Sequence, residues 1–328
     1  MISTWLEFLL CGCAIGFSGY FLSVFGDQLA QKTKMGHSFI GLTLIAAVTS
    51  FPELGSGIGA ITLANSSDLA AGGIFGSCMF NVFILCILDL LHRKKSIYQY
   101  TSATQLPLGI LGILFLGYSG FIVSLSYSPL QFLHLLGAWL SLPLFIAYIV
   151  FLTNYSNQEV AANKQDKESQ NPASPKLATM ILGFVISCLF VVASGLYLPV
   201  VGEKLVHEMA WSESFFGTLL LAISTSLPEL AVTLSSLSIG AIDMALANIW
   251  GSNLFNLAIL WIFDLLMQGS IFAQISTTHL ISIMTSIVMS GLAMIGIYLK
   301  PKKNLGLYLS WPNFLMVILY FLTLFSLF

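Results

Sequence analysis

The chain has 328 residues, 57% of them hydrophobic and 8% charged, with a mean hydropathy of +0.91. Soluble domains carry about 25% charged residues, so this composition excludes a water-soluble fold. The net charge of −2 decides little, whereas the placement of the charges decides a good deal.

Apolar runs of about 20 residues, the length that crosses a bilayer, fill most of the chain. Ten spans are predicted, at 5–26, 38–64, 68–91, 104–125, 129–152, 177–201, 214–238, 243–267, 278–299 and 307–328. The chain is therefore predicted to be an all-α polytopic membrane protein. The first span has no Lys or Arg before it and no small-residue cleavage site, so it reads as a retained helix rather than a signal peptide. With ten spans and an outside N-terminus, eleven of the twelve basic residues fall in loops on one side, and only Lys204 lies opposite. The positive-inside rule then places both termini outside and the basic loops in the cytoplasm, most simply across the plasma (cell inner) membrane. The five cysteines (Cys11, Cys13, Cys78, Cys86, Cys188) lie within apolar spans without metal-ligand spacing. They read as small buried hydrophobes.

The second span contains "TSFPE", Thr49 to Glu53, and the seventh contains "TSLPE", Thr225 to Glu229. Between the halves lies one strongly polar stretch, 153–176, "TNYSNQEVAANKQDKESQNPASPK", which cannot bury enough surface to fold and reads as a cytoplasmic linker. It separates a first five-span repeat, 1–152, from a second, 177–328. Five is odd, so homologous halves must be inverted repeats. "GLTLIAAVTSFPEL" from Gly41 aligns with "GTLLLAISTSLPEL" from Gly217, at an offset of 176. "DLAAGGIFGSCMFNVFILCILDLL" from Asp68 aligns with "DMALANIWGSNLFNLAILWIFDLL" from Asp243, at 175. Inverted repeats with helices interrupted at matching positions mark a transport site near the bilayer midplane.

Pro52 has no amide hydrogen and clashes with the carbonyl of Val48, and Pro228 does the same to Ser224. Carbonyls freed inside a membrane are tolerated where protein, water or an ion satisfies them. Ser50 and Glu53 share a helix face beside the break, and in the next span Ser77 and Asn81 share another. Carboxylate, hydroxyl, amide and backbone oxygens are hard donors. Such donors suit calcium, which takes about 6–8 oxygens at roughly 2.3–2.6 Å, and they suit sodium as well.

Structural readings stand beside this one. Ser50-x-x-Glu53 and Ser226-x-x-Glu229 match a capping box, although a carboxylate near the bilayer centre costs at least ~2.5 kcal/mol. Gly76-Ser77 and Gly251-Ser252 also fit close helix crossings, and Asn81 and Asn256 fit interhelical hydrogen bonding. Asp68 and Asp243 sit at turns, Asp89 and Asp264 at span ends, and Glu7, Glu203, Glu208 and Glu213 near the outer surface.

On these motifs the chain resembles the calcium/cation antiporter superfamily, in particular the prokaryotic sodium/calcium exchanger type. The likeness covers both halves and is strongest in the two signature repeats, close to "GTSxPE" followed by "GNxxGSNxxN". It implies ten transmembrane helices as two inverted five-helix repeats, with Pro-broken helices 2 and 7. It also implies that Thr49, Ser50, Glu53, Ser77 and Asn81, with Thr225, Ser226, Glu229, Ser252 and Asn256, hold the transported cations. The carbonyls of Ala46 and Ala222 match positions that help bind sodium. The chain departs from the pattern at Val48 and Ser224, which stand for a Gly, at Gly72-Gly73 and Ala247-Asn248 for "GN", and at Cys78 within "GSN". Some relatives carry Asp at the position of Asn256.

Two midplane Glu carry −2 when ionised, which one calcium, two sodium ions or two protons would neutralise. A carrier that crosses readily only when loaded exchanges one cation for another. The resemblance implies sodium/calcium exchange, typically three sodium ions for one calcium, with spans 1 and 6 sliding over a fixed core of the other eight. A proton-coupled divalent cation antiporter and a passive cation channel are the alternatives. An intramembrane hydrolase on Ser50 or Ser226 would need a base, and the five histidines are unrepeated and mostly at span ends. No enzyme activity, cofactor, nucleic acid or obligate protein partner is expected, only inorganic cations and the lipid bilayer.

Overall fold

A computed structural model describes residues 2–32, 46–92, 95–127, 177–238, 240–267, 270–302 and 308–328, with isolated helical positions at 143, 146 and 150. The described residues are built from helices. The long ones are α1 (Ile2–Lys32), α4 (Ser67–Leu91), α5 (Leu106–Ser126), α6 (Leu177–Met209), α9 (Ile242–Leu266) and α10 (His279–Leu299). Two spans are interrupted, one as α2 (Ala46–Thr49) and α3 (Phe51–Thr62), the other as α7 (Glu213–Thr225) and α8 (Leu227–Ser238). The chain ends in α11 (Trp311–Leu327). Among the described residues six helices are long and apolar enough to cross a bilayer, and the bent pair α7 and α8 makes a seventh. The predicted fifth span, the linker at 153–176 and the start of the second span lie outside the described residues.

Two helices run well past the spans that hydropathy predicts. α1 covers Ile2–Lys32 rather than 5–26, and α6 covers Leu177–Met209 rather than 177–201. The 33 residues of α6 reach about 50 Å at 1.5 Å per residue, against an apolar thickness of about 30 Å. Hydropathy locates the end of the apolar run. The helix continues through Glu203, Lys204 and Glu208, whose straight side chains favour it, to an end where Thr4 donates to Glu208 at 2.8 Å.

α4 and α9 form the centre, with 78% and 83% of their apolar windows buried, against 33% in α1 and 17% in α6. α1 and α6 pack along each other on the periphery, α1 also lying on α8 and α6 on α3. Small residues allow this closeness: a Cβ on Gly19 would overlap the Pro228 ring.

The acidic pairs at turns and span ends bind backbone. Asp68 accepts from the Ser276 amide at 2.6 Å, and Asp243 from that of Ser102 at 2.7 Å. Asp89 accepts from the amides of Ile97 at 3.0 Å and Ser310 at 2.7 Å, and Asp264 from that of Ile271 at 2.9 Å. The Asp68–Ser276 bond matches Asp243–Ser102, and Asp89–Ile97 matches Asp264–Ile271, so the two halves share a tertiary pattern as well as a motif. All five cysteines are free thiols.

Candidate functional site

The two breaks meet at the centre of the molecule. Ser50 (φ −87°, ψ 6°) and Ser226 (φ −88°, ψ 13°) leave helical geometry for the sparsely populated bridge region, and the second break bends its span by 49°. Pro52 and Pro228 each stand second in the helix that follows, where a missing amide costs no helical bond.

The side chains next to the breaks bond across the repeats. Ser226 Oγ donates to Glu53 Oε1 at 2.9 Å, and Ser50 Oγ donates to Glu229 Oε1 at 3.4 Å. Ser77 Oγ lies 3.3 Å from Thr225 Oγ1, and Thr49 Oγ1 lies 3.3 Å from Ser252 Oγ. Both relations are reciprocal, as a pseudo-two-fold axis requires. Ser77 Oγ is also 3.2 Å from Glu53 Oε1 and 3.5 Å from the Ala222 carbonyl. The carbonyls of Ala46 and Ala222 each accept from the Thr three residues on, both at 3.2 Å.

Ser50 caps α3 by position but makes no side-chain cap bond. Its hydroxyl turns across the repeat interface, so the capping-box reading fails there. Asn81 and Asn256 are likewise fully buried. Asn81 Nδ2 donates to Asn253 Oδ1 at 3.0 Å, which is the interhelical bonding open to it from sequence.

Glu53 is 2% exposed and Glu229 0%. Glu53 Oε2, Glu229 Oε2, Asn81 Oδ1 and both polar atoms of Asn256 have no hydrogen-bond partner among the described residues. Buried polar atoms are ordinarily paired, and each exception asks for an explanation. The two carboxylates with such an atom lie among hydroxyls from both halves. Among the described residues no three His, Cys, Asp or Glu come together, so any cation here would be held by two carboxylates and neutral oxygens. That donor set fits a hard ion rather than zinc.

Three features escaped the sequence reading. Asn253 donates to the Cys78 carbonyl at 3.1 Å, and Asn248 donates to Thr233 Oγ1 at 3.1 Å and the Glu229 carbonyl at 3.4 Å. Both were visible as amides in an apolar span. A π-turn at Gly217–Leu221 lies inside α7 just before Ala222, and π-bulges of this kind are frequent at functional sites. The Leu221 carbonyl accepts from Thr225 Oγ1 at 3.1 Å.

Comparison with known proteins agrees with the motifs. The profile of the family described as sodium/calcium exchanger protein matches residues 3–155 and 179–328. The sodium/calcium exchanger MaX1 of Methanosarcina acetivorans is 27% identical over 92% of this chain and 94% of its own. The putative antiporter CaxA of Alkalimonas amylolytica is 27% identical over 75% of each. A solved structure of the sodium-calcium exchanger NCX_Mj superposes over 100% of both chains with a TM-score of 0.65 at 20% identity, which establishes the shared fold. The chain is therefore a multi-pass integral membrane protein and cation antiporter, not an enzyme, and it belongs to the sodium/calcium exchanger protein family.

Proposed function

We propose that this chain exchanges sodium for calcium by alternating access around a midplane site whose charged ligands are Glu53 and Glu229. The observation that carries the reading is the reciprocal bonding of two buried carboxylates to serines of opposite repeats, each with one oxygen left without a partner among the described residues. Thr49, Ser50, Ser77, Asn81 and the Ala46 carbonyl, with Thr225, Ser226, Ser252, Asn256 and the Ala222 carbonyl, complete the ligand set. Hydroxyl and carbonyl oxygens supply the coordination that a calcium or sodium ion loses with its water. The two carboxylates supply the charge that makes an empty crossing costly.

On this reading residues 1–152 and 177–328 are the inverted repeats, and 153–176 is a cytoplasmic linker. Both termini lie outside, in the plasma membrane. α1 and α6 are the moving pair, a role that their shallow burial and small-residue contacts support.

The test is calcium uptake by purified protein in sodium-loaded proteoliposomes. Uptake should require an outward sodium gradient and should run in reverse when the gradient is reversed. Uptake without any counter-ion would mean a channel. Calcium-dependent proton flux in sodium-free vesicles would mean proton coupling.

A further inference from the structure

Residues 78 and 253 occupy equivalent positions in the two repeats, and they face each other. Asn253 Nδ2 donates to the Cys78 carbonyl at 3.1 Å, and Cys78 Sγ lies 3.8 Å from the Asn253 carbonyl. Each side chain thus reaches the other's backbone across the pseudo-two-fold axis. Asn81 and Asn256, three residues further along each helix, are the next equivalent pair.

Here the symmetry breaks. Asn81 Nδ2 donates to Asn253 Oδ1 at 3.0 Å. That bond fixes the amide plane of Asn81 and leaves its Oδ1 as the unpartnered atom. The bond related by the pseudo-two-fold axis would run from Asn256 Nδ2 to an oxygen on residue 78. Residue 78 is a cysteine, whose sulfur is a weak acceptor. Accordingly Asn256, 0% exposed, has neither its nitrogen nor its oxygen paired among the described residues. Two amides at equivalent positions therefore differ in one respect: one is clamped and the other is not.

We infer that Asn253 is a positioning residue that holds the Asn81 oxygen toward the cation site, and that Cys78 leaves Asn256 as an unclamped amide whose orientation the occupant must set. The inference rests on the proposed role of both amides as ligands. A clamped oxygen is preorganised and binds without an ordering cost, whereas an unclamped amide must be fixed on binding. Cys78 is then a specificity-determining residue, because it lowers the site's preference for ions that demand an oxygen at Asn256.

The experiment is sodium-driven calcium exchange in proteoliposomes, with apparent KM for calcium and maximal rate read separately. Asn253→Cys should raise KM about fivefold, the effect of one net hydrogen bond, with little change in maximal rate. Cys78→Asn should lower KM by a similar factor. The double variant Cys78→Asn/Asn253→Cys moves the clamp from Asn81 to Asn256 and should return KM near the starting value. A packing role alone predicts that the double variant adds the two defects. Cys78→Ser, which exchanges one atom and supplies an oxygen acceptor, should shift KM in the same direction as Cys78→Asn and covers the case in which asparagine does not fit.

Unchanged KM in Asn253→Cys and in both Cys78 variants would overturn the inference, as would a double variant no better than Asn253→Cys. Asn81→Ala and Asn256→Ala separate the two levels. If neither alters KM, the amides are not ligands and the clamp falls with them. If they raise KM while the clamp variants do not, the ligand reading stands and the clamp alone fails.

Discussion

Replacing Glu53 or Glu229 by glutamine removes one charge while keeping size and one carbonyl oxygen. For Glu53 the retained oxygen can still accept from Ser226 and Ser77, now at 2.9 and 3.2 Å, so the local hydrogen bonds survive. The atom that changes character is Oε2, which has no partner among the described residues and becomes an N–H₂ group. With Glu53 2% and Glu229 0% exposed, water screens the loss poorly. A unit charge pair at 4 Å is worth about 4 kcal/mol at an effective dielectric of about 20, and a divalent ion doubles that figure. Even if restored hydration returns half, about 4 kcal/mol remains, or roughly three orders of magnitude in affinity. Each single variant should therefore lose sodium-driven calcium uptake by at least about a hundredfold. It should still insert and purify as a monodisperse protein, because a neutral amide is cheaper than a carboxylate in this setting. Glu213→Gln, whose carboxylate accepts from Ser66 at the start of α7, is the matched control and should exchange normally. Near-normal exchange by both Glu53→Gln and Glu229→Gln would refute the two-carboxylate site.

Three more predictions concern orientation, charge and movement. Single cysteines introduced on a cysteine-free background at 160 and near Lys95 should label only from the cytoplasmic side in intact cells, and external labelling of the linker would reverse the topology. Asn256→Asp adds a third carboxylate, so the site needs one more proton or positive charge to reach the same net charge. The pH profile of exchange and the competition between sodium and calcium should both shift, and unchanged profiles would place Asn256 outside the site. Gly19→Leu drives a side chain into the Pro228 ring and should slow exchange roughly tenfold or more through overpacking. Gly117→Leu, where a Cβ meets nothing within 4 Å, should not, and equal effects of the two would remove the α1 contact from the transport cycle.

The elements were legible because membrane chemistry leaves strong contrast in a sequence. An apolar run announces a span, and a carboxylate or proline within one is costly enough to stand out, as Glu53 and Pro52 do. What stayed hidden was partnership. Ser226 lies three residues from Glu229, yet it donates to Glu53, 173 positions away, and no local spacing encodes that choice. The capping-box alternative at Ser50 arose from this gap: the motif has the right residues, and only the position of the hydroxyl decides between them. The π-turn at Gly217–Leu221 has no composition signal that separates it from a continuing helix. The extensions of α1 to Lys32 and of α6 to Met209 were missed because hydropathy measures the bilayer rather than the helix. Asn248 and Asn253 were in plain view, but single polar residues carry little meaning until a partner is known.

The crossed bonding bears on how loading and movement could be linked. Each carboxylate takes a hydroxyl donor from the opposite repeat, so a cation that displaces one serine disturbs the half-site of the other. On the proposed reading, occupancy at the two carboxylates is then cooperative through contact, and a half-filled site leaves a donor and a charge unmatched in a dry interior. The peripheral helices repeat the crossing. α1, from the first half, lies against Ser224, Leu227 and Pro228 of the second break, while Gly195 of α6, from the second half, lies against Pro52 and Ser56 of the first. A shift of the α1 and α6 pair therefore touches both breaks at once. On the proposed reading, the state of the site can bias the position of that pair through these residues. Gly19 and Gly195 are thus the positions at which added bulk should uncouple ion binding from transport.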